Sequence, residues 1–177
     1  ANNSHPHGIR WSKLTGKVYS IQEGYGQIVE IDPTTLESTV IIDLAGSPYT
    51  SYGITPSGRF LLLRGQTSGP IDPQATKLGV LDLSVTPAVR KDFTIAALDG
   101  TSPGSFKFSP DGKRLYILAG NTAASTKKDR LFAFDSSALS ASPPALTLLR
   151  EIPLMATGGH GLDVLAQGAG EAKYVVV

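Results

Sequence analysis

The sequence repeats one pattern three times, an alternating apolar segment that ends in aspartate. The three copies are residues 27–32, 77–82 and 130–135. Their final aspartates, Asp32, Asp82 and Asp135, stand 50 and 53 positions apart, and a period of this size is typical of repeat architectures. The chain is therefore one structural unit copied several times. An aspartate that closes a strand usually accepts backbone N–H bonds in the following turn, so we expect these three carboxylates to be structural.

Each copy carries further extended segments around this strand. In the third copy, residues 106–118 alternate apolar and polar side chains about the turn signal at 110–112, Pro-Asp-Gly, which is typical of a β-hairpin. Another run rich in large apolar and β-branched residues follows each aspartate, as at 39–43. Four short strands per copy without a helical period predict an all-β fold, the β-propeller, whose four-stranded blades surround a central channel.

The repeats supply three complete four-stranded blades and the first two strands of a fourth. We expect residues 1–177 to form one partial β-propeller, with blades at about 7–45, 52–98 and 105–155 and half a blade at about 160–177. Propellers usually close with about four to eight blades, so this arc leaves blade faces open. The sequence therefore predicts a truncated, cleaved or split propeller, whose ring is completed by a missing segment or by another chain.

Composition excludes several kinds of partner and site. The 16 Lys and Arg against 15 Asp and Glu give no basic field for nucleic acid. No apolar run approaches the ~20 residues of a membrane span. The absence of cysteine excludes disulfides, thiolate metal sites and a cysteine nucleophile. A chain that opens at Ala1 without methionine predicts removal of a leader, and hence an extracellular or periplasmic location.

Two segments resemble a known repeat family. Residues 109–117, Ser-Pro-Asp-Gly-Lys-Arg-Leu-Tyr-Ile, and residues 6–9, Pro-His-Gly-Ile, are similar to the YVTN-type repeats of surface-layer and lactonase-like seven-bladed propellers. The resemblance extends over the whole chain and implies the fold. It leaves the function open, because such repeats occur in adhesive surface proteins, lactonases, muconate-cycloisomerase-like enzymes and copper-containing oxidoreductases. Family members are commonly exported, which agrees with the expected location.

Chemistry in a propeller is expected where the inner strands of the blades begin, because these residues form a ring at one mouth of the channel. Aligning the copies on their Gly-Ile or Gly-Leu dipeptides places four residues in this ring, which we call the channel mouth: His7, Tyr52, Ser105 and His160. All three histidines of the chain, including His5, lie within two residues of it.

Imidazole is the commonest neutral metal ligand, so His5, His7 and His160 are candidate metal ligands. Copper is the first choice for such a set, and zinc also suits it. A calcium site of the lactonase type would draw instead on the carboxylates Glu23, Glu30, Asp99 and Asp163. The alternative is that the mouth residues only cap the channel or hydrogen-bond the neighbouring blade. No catalytic residue is assigned, since acid–base chemistry at a histidine needs a carboxylate partner.

Two connections longer than a hairpin needs join second to third strands, and they are expected on the same face as the mouth. The candidate binding residues that they carry are Gln66, Asp72, Asn121, Lys127 and Lys128. Three functions follow as hypotheses. The first is binding of a partner protein or a small ligand at this face, the second is a copper-dependent oxidoreductase with a histidine-rich hub, and the third is a lactonase or muconate-cycloisomerase-like enzyme.

Overall fold

Three four-stranded antiparallel sheets and one two-stranded sheet follow one another along the chain in the computed structural model. The structure describes residues 6–22, 25–43, 49–65, 77–99, 101–121, 129–155, 161–166 and 172–176. Within each sheet the strands pair in chain order. The predicted all-β propeller, with three complete blades and the first two strands of a fourth, is confirmed. In the described part of the chain no helix has the length and apolar character needed to cross a bilayer.

The strand bounds define the blades. Blade 1 contains β1 (Pro6–Trp11), β2 (Val18–Gln22), β3 (Gln27–Ile31) and β4 (Ser38–Asp43). Blade 2 contains β5 (Tyr49–Ile54), β6 (Phe60–Gly65), β7 (Lys77–Asp82) and β8 (Val89–Thr94). Blade 3 contains β9 (Thr101–Phe108), β10 (Arg114–Asn121), β11 (Arg130–Asp135) and β12 (Thr147–Pro153). The half-blade contains β13 (Asp163–Ala166) and β14 (Ala172–Val176). Two short 3-10 turns, Ala96–Leu98 and Ser137–Ser140, complete the described elements.

The repeated aspartates close their strands by the predicted mechanism. Asp32, Asp82 and Asp135 each accept, at 2.7–3.0 Å, a hydrogen bond from the backbone N–H two residues further along the turn. In blade 2 the Arg59 guanidinium also donates to both oxygens of Asp82, at 3.1 and 2.8 Å, and in blade 1 the Lys17 ammonium bonds Asp32. Lys17 and the turn amides together lower the pKa of Asp32 to about 2.

Adjacent blades are held together by separate apolar clusters. In the middle of β6, Leu61 and Leu63 face blade 1 while Leu62 faces blade 3, and all three are fully buried. Complete burial of such a side chain contributes about 1.5–3 kcal/mol. The blade 1–blade 2 cluster contains Tyr19, Ile21, Ile28, Tyr52, Leu61, Leu63, Leu81 and Leu83. The cluster between blade 3 and the half-blade contains Tyr116, Leu118, Leu131 and Leu162.

The other face of blade 1 is apolar and open. Ile9 and Trp11 lie on it and are 65% and 58% exposed. Trp11 projects from the face that no described blade covers, so it contacts solvent. Leu165 and Val176 of the half-blade are about equally exposed. Both ends of the arc therefore present apolar side chains without a neighbouring blade among the described residues.

Candidate functional site

The first strand of each complete blade carries a β-bulge near its beginning. The pairing passes over Gly8 in β1, Thr50 in β5 and Gly104 in β9. Bulges redirect side chains and are frequent beside functional sites. The mouth end of each complete blade thus has an irregular backbone, at a position that differs slightly between blade 1 and the other two.

The long connections leave the blades at this end. Tyr49, the first residue of β5, pairs with Gly65, the last of β6, and Thr101 of β9 pairs with Asn121 of β10. The segments that follow Gly65 and Asn121 therefore start beside the channel mouth. Of the predicted binding residues, Gln66, Asp72, Lys127 and Lys128 lie outside the described residues, as does the side chain of Asn121.

The sheet register changes one member of the predicted ring. His7 pairs with Ile21 and Ser105 pairs with Leu118, and the corresponding pair in blade 2 is Ser51 with Arg64. Ser51 therefore takes the position that the sequence alignment gave to Tyr52. The cause is the bulge, which follows His7 in blade 1 but precedes Ser51 and Ser105 in the other blades. A slip of one residue turns a side chain to the opposite face of the sheet.

Tyr52 faces blade 1 as a result. It is only 4% exposed, and its hydroxyl donates to the carbonyl oxygens of Gly8, at 2.6 Å, and of Tyr19, at 3.2 Å. The Arg10 guanidinium lies 4.8 Å from the centre of the ring and donates to the Tyr52 carbonyl at 3.3 Å. Burial raises the pKa of the phenol to about 12. Tyr52 thus fastens blade 2 to blade 1 immediately beside the channel mouth.

Only one of the three candidate metal ligands, His7, falls within the described residues. His5 and His160 lie outside the described residues, and His7 is described in its backbone alone. No group of three His, Cys, Asp or Glu side chains in the described ranges could hold a metal ion. The copper, zinc and calcium hypotheses therefore stay predictions.

The carboxylates considered for calcium have separate surroundings. Glu30 accepts a hydrogen bond from the Tyr19 hydroxyl at 2.7 Å, and Asp163 lies 3.3 Å from the Lys107 ammonium. The Val164 backbone N–H and then Lys107 lower the pKa of Asp163. Asp99 follows a 3-10 turn, and Glu23 lies outside the described residues.

Arg64 is a residue of the mouth end that the sequence alignment did not single out. In the pairing register it is equivalent to Ile21 and Leu118, which are 0% and 1% exposed, and Arg64 itself is only 8% exposed. Burying a guanidinium costs free energy unless its charge is paired, and an ionisable group in such a position is a candidate for a functional site. Counting back from the repeated aspartates rather than from the Gly-Ile dipeptides would have revealed it.

Comparison with solved structures gives the same fold. A candidate 6-phosphogluconolactonase from Bacteroides uniformis superposes with a TM-score of 0.66 at 16% identity, covering 97% of this chain and 46% of that one. The periplasmic gluconolactonase PpgL of Pseudomonas aeruginosa gives 0.61 at 16% identity, covering 90% of this chain and 44% of its own. Virginiamycin B lyase from Staphylococcus aureus gives 0.54 at 18% identity, with 89% and 44% covered.

These similarities establish the β-propeller fold. The chain spans slightly less than half the length of the solved structures that it matches. No protein-family model matches the sequence, and no curated protein matches it significantly.

Proposed function

We propose that this chain is part of a β-propeller that binds a small anionic molecule at the channel mouth. The observation that carries the proposal is Arg64, a buried arginine at the mouth end of blade 2 in the position of a buried aliphatic residue in blades 1 and 3. A guanidinium stays charged at all physiological pH values and has five N–H donors, which suit carboxylate or phosphate groups.

The surroundings of Arg64 support a site for a small molecule. Its cross-strand partner is Ser51, and Ser105 occupies the equivalent place in blade 3. The long connections after Gly65 and Asn121 start at the same end, where ligand-selecting residues are often carried. A cation at the opening of a channel, in a ring that has serine at two positions, matches a hydroxylated acid better than an apolar ligand.

Calorimetric titration with gluconate, compared with glucose, tests this proposal. We expect gluconate to bind and glucose to bind at least tenfold more weakly, because only gluconate has a carboxylate for the guanidinium. Arg64→Leu should abolish the preference without loss of folding, since Leu118 occupies the same position in blade 3. Arg64→Lys keeps the charge and should retain part of the affinity. Equal binding of gluconate by the wild type and Arg64→Leu would reject the proposal.

A lactonase activity is the second candidate, and the solved structures favour it. One of the proteins above is named a periplasmic gluconolactonase, and another a candidate 6-phosphogluconolactonase. Hydrolysis of either lactone yields an acid, which an arginine at the channel mouth would hold. A pH-stat assay with both lactones should show catalysed ring opening that Arg64→Leu weakens. A rate equal to that of buffer alone would leave the binding function and remove the enzymatic one.

We also propose that further blades, from a missing segment or another chain, complete the ring. The exposed apolar faces of blade 1 and the half-blade support this proposal, as does the greater length of the matched structures. Native mass measurement would reveal a partner chain or a longer form. An exported location is proposed as well, in agreement with the periplasmic gluconolactonase.

The copper hypothesis is tested on the same material. Stoichiometric copper that is lost in His7→Ala or His160→Ala would establish the oxidoreductase interpretation, and calcium would favour the lactonase. A protein that folds and binds gluconate without any metal would favour the binding function.

A further inference from the structure

The opposite end of blades 1 and 2 contains a cavity of about 440 Å³, which we call the inter-blade cavity. Its volume falls in the range of small-molecule sites, about 300–1,000 Å³. Blade 1 contributes its first turn and parts of β2, β3 and β4, and blade 2 contributes the turn between β7 and β8. All of these segments lie away from the channel mouth, so the cavity is separate from the site proposed above.

A chain of hydrogen bonds forms the polar side of the inter-blade cavity. The Tyr19 hydroxyl donates to Glu30 Oε2 at 2.7 Å, and the Thr15 hydroxyl oxygen lies 2.9 Å from the Tyr19 hydroxyl oxygen. Tyr19 is 1% exposed, so the carboxylate is held in one orientation from a rigid position. Within the described part of the chain, Glu30 Oε1 accepts no hydrogen bond and is open to a donor from a ligand.

The charges around this carboxylate are predominantly negative. Lys17 also lines the cavity, but its ammonium bonds Asp32. Asp32, Glu30 and Glu37 all act to raise the pKa of Lys17. Three carboxylates around one ammonium leave two net negative charges, which attract a cation and repel an anion.

The remaining wall of the inter-blade cavity is apolar. It is built from Val40, Ile41, Leu83, Val85, Pro87 and Ala88. Val40 and Val85 are 48% and 45% exposed, so they have apolar surface that a ligand can cover. Removing such surface from water is favourable by about 25 cal/mol per Å².

We propose that the inter-blade cavity binds a small organic ammonium ion. Its charged nitrogen donates a hydrogen bond to Glu30 Oε1, and its hydrocarbon part lies against the apolar wall of β4 and the β7–β8 turn. An inorganic cation would contact only the carboxylate, and a neutral hydrocarbon would contact only the apolar wall. An amine attached to an aromatic or branched aliphatic group uses both.

Three probes of the same size and different charge test the proposal by calorimetry: 2-phenylethylammonium, 2-phenylethanol and phenylacetate. We expect the ammonium ion to bind, the alcohol to bind about tenfold or more weakly, and the acid not to bind, because only the cation forms a charge-assisted bond with Glu30. Phenylacetate that binds as tightly as the amine, or an amine that does not bind at millimolar concentration, would overturn the proposal.

Two variants locate the binding. Glu30→Gln keeps an oxygen that accepts the Tyr19 hydrogen bond and removes the charge, so it should fold and should weaken amine binding about tenfold or more. The matched control is Glu151→Gln in blade 3, where the carboxylate is 41% exposed and bonds Arg130, and it should leave the affinity unchanged. If both variants lose the same affinity, or neither does, the ammonium ion is not held by Glu30. Gluconate binding at the mouth should be unaffected by Glu30→Gln.

Discussion

The hydroxyl of Tyr52 joins blades 1 and 2, and its removal has a calculable cost. In Tyr52→Phe the ring keeps its packing and its contact with the Arg10 guanidinium, but the bonds to the Gly8 and Tyr19 carbonyls, at 2.6 and 3.2 Å, are lost. One buried hydrogen bond contributes about 0.5–1.5 kcal/mol net, and two are lost together, although the Gly8 carbonyl still accepts a bond from the Ser20 hydroxyl at 3.3 Å. We therefore expect the free energy of unfolding to fall by about 1–2 kcal/mol. For a chain of this size, this corresponds to a decrease in Tm of about 2–8 °C.

Urea unfolding followed by circular dichroism measures this change. The midpoint should shift while the slope stays constant, which shows that the folded state itself has been destabilised. Tyr116→Phe is the matched control, because Tyr116 is also buried, at 7% exposure, and within the described residues its hydroxyl forms no hydrogen bond. A neutral Tyr52→Phe, or an equal loss in Tyr116→Phe, would refute the argument. If Tyr52→Phe lost gluconate binding at unchanged stability, Tyr52 would be a ligand-binding residue of the channel mouth instead.

The pH dependence supplies an independent check on the same residue. Burial raises the pKa of Tyr52 from 10.0 to about 12, so the folded state favours the neutral phenol. The resulting stabilisation is fully present below pH 10 and is lost as the pH rises towards about 12. The difference in unfolding free energy between the wild type and Tyr52→Phe should therefore shrink across this interval.

Three further predictions concern other parts of the arc. Gly58→Ala should destabilise the protein more than Gly112→Ala does in thermal unfolding. Both glycines have positive φ, but a Cβ added at Gly58 would lie 2.5 Å from the Lys13 backbone nitrogen, whereas a Cβ added at Gly112 would meet no atom closer than 3.4 Å. We expect Gly112→Ala to cost about 1–2 kcal/mol and Gly58→Ala to cost clearly more. Lys17 and the turn amides lower the pKa of Asp32 from 3.8 to about 2, so the stability that this carboxylate contributes is lost as the pH falls through that interval. In Asp32→Asn, urea titration should show a smaller loss of stability over the same interval. An unchanged acid profile would contradict the bonding assigned to Asp32. Trp11, the only tryptophan, should be quenched by acrylamide nearly as efficiently as free tryptophan, and strong protection would show that its face is covered.

The architecture was predictable because its signals are local and repeated. Each strand that ends in Asp32, Asp82 or Asp135 carries its own alternation and its own turn, so the blades could be counted without knowing how they pack. The capping role of these carboxylates followed from the same local chemistry and is observed. Repetition made each copy a check on the others.

The mouth was less predictable because it depends on the position of a bulge. A bulge inserts one residue without a strong signal in the sequence, and alignment on the dipeptides Gly8-Ile9 and Gly53-Ile54 placed Tyr52 where the register puts Ser51. The burial of Arg64 and the inter-blade cavity arise from packing between blades. Such contacts join residues more than 40 positions apart, and periodicity within one strand does not report them.

Because each apolar cluster joins only two neighbouring blades, local unfolding of one blade should affect its direct neighbours first. Within the described residues, blade 1 and the half-blade share no cluster, and the leucines of β6 and the aromatic side chains of blade 3 lie between them. Blades 2 and 3 are each packed on both faces and should exchange their amide hydrogens more slowly than blade 1 and the half-blade. Where no further blade packs on them, the outer blades can open while the two central blades stay folded.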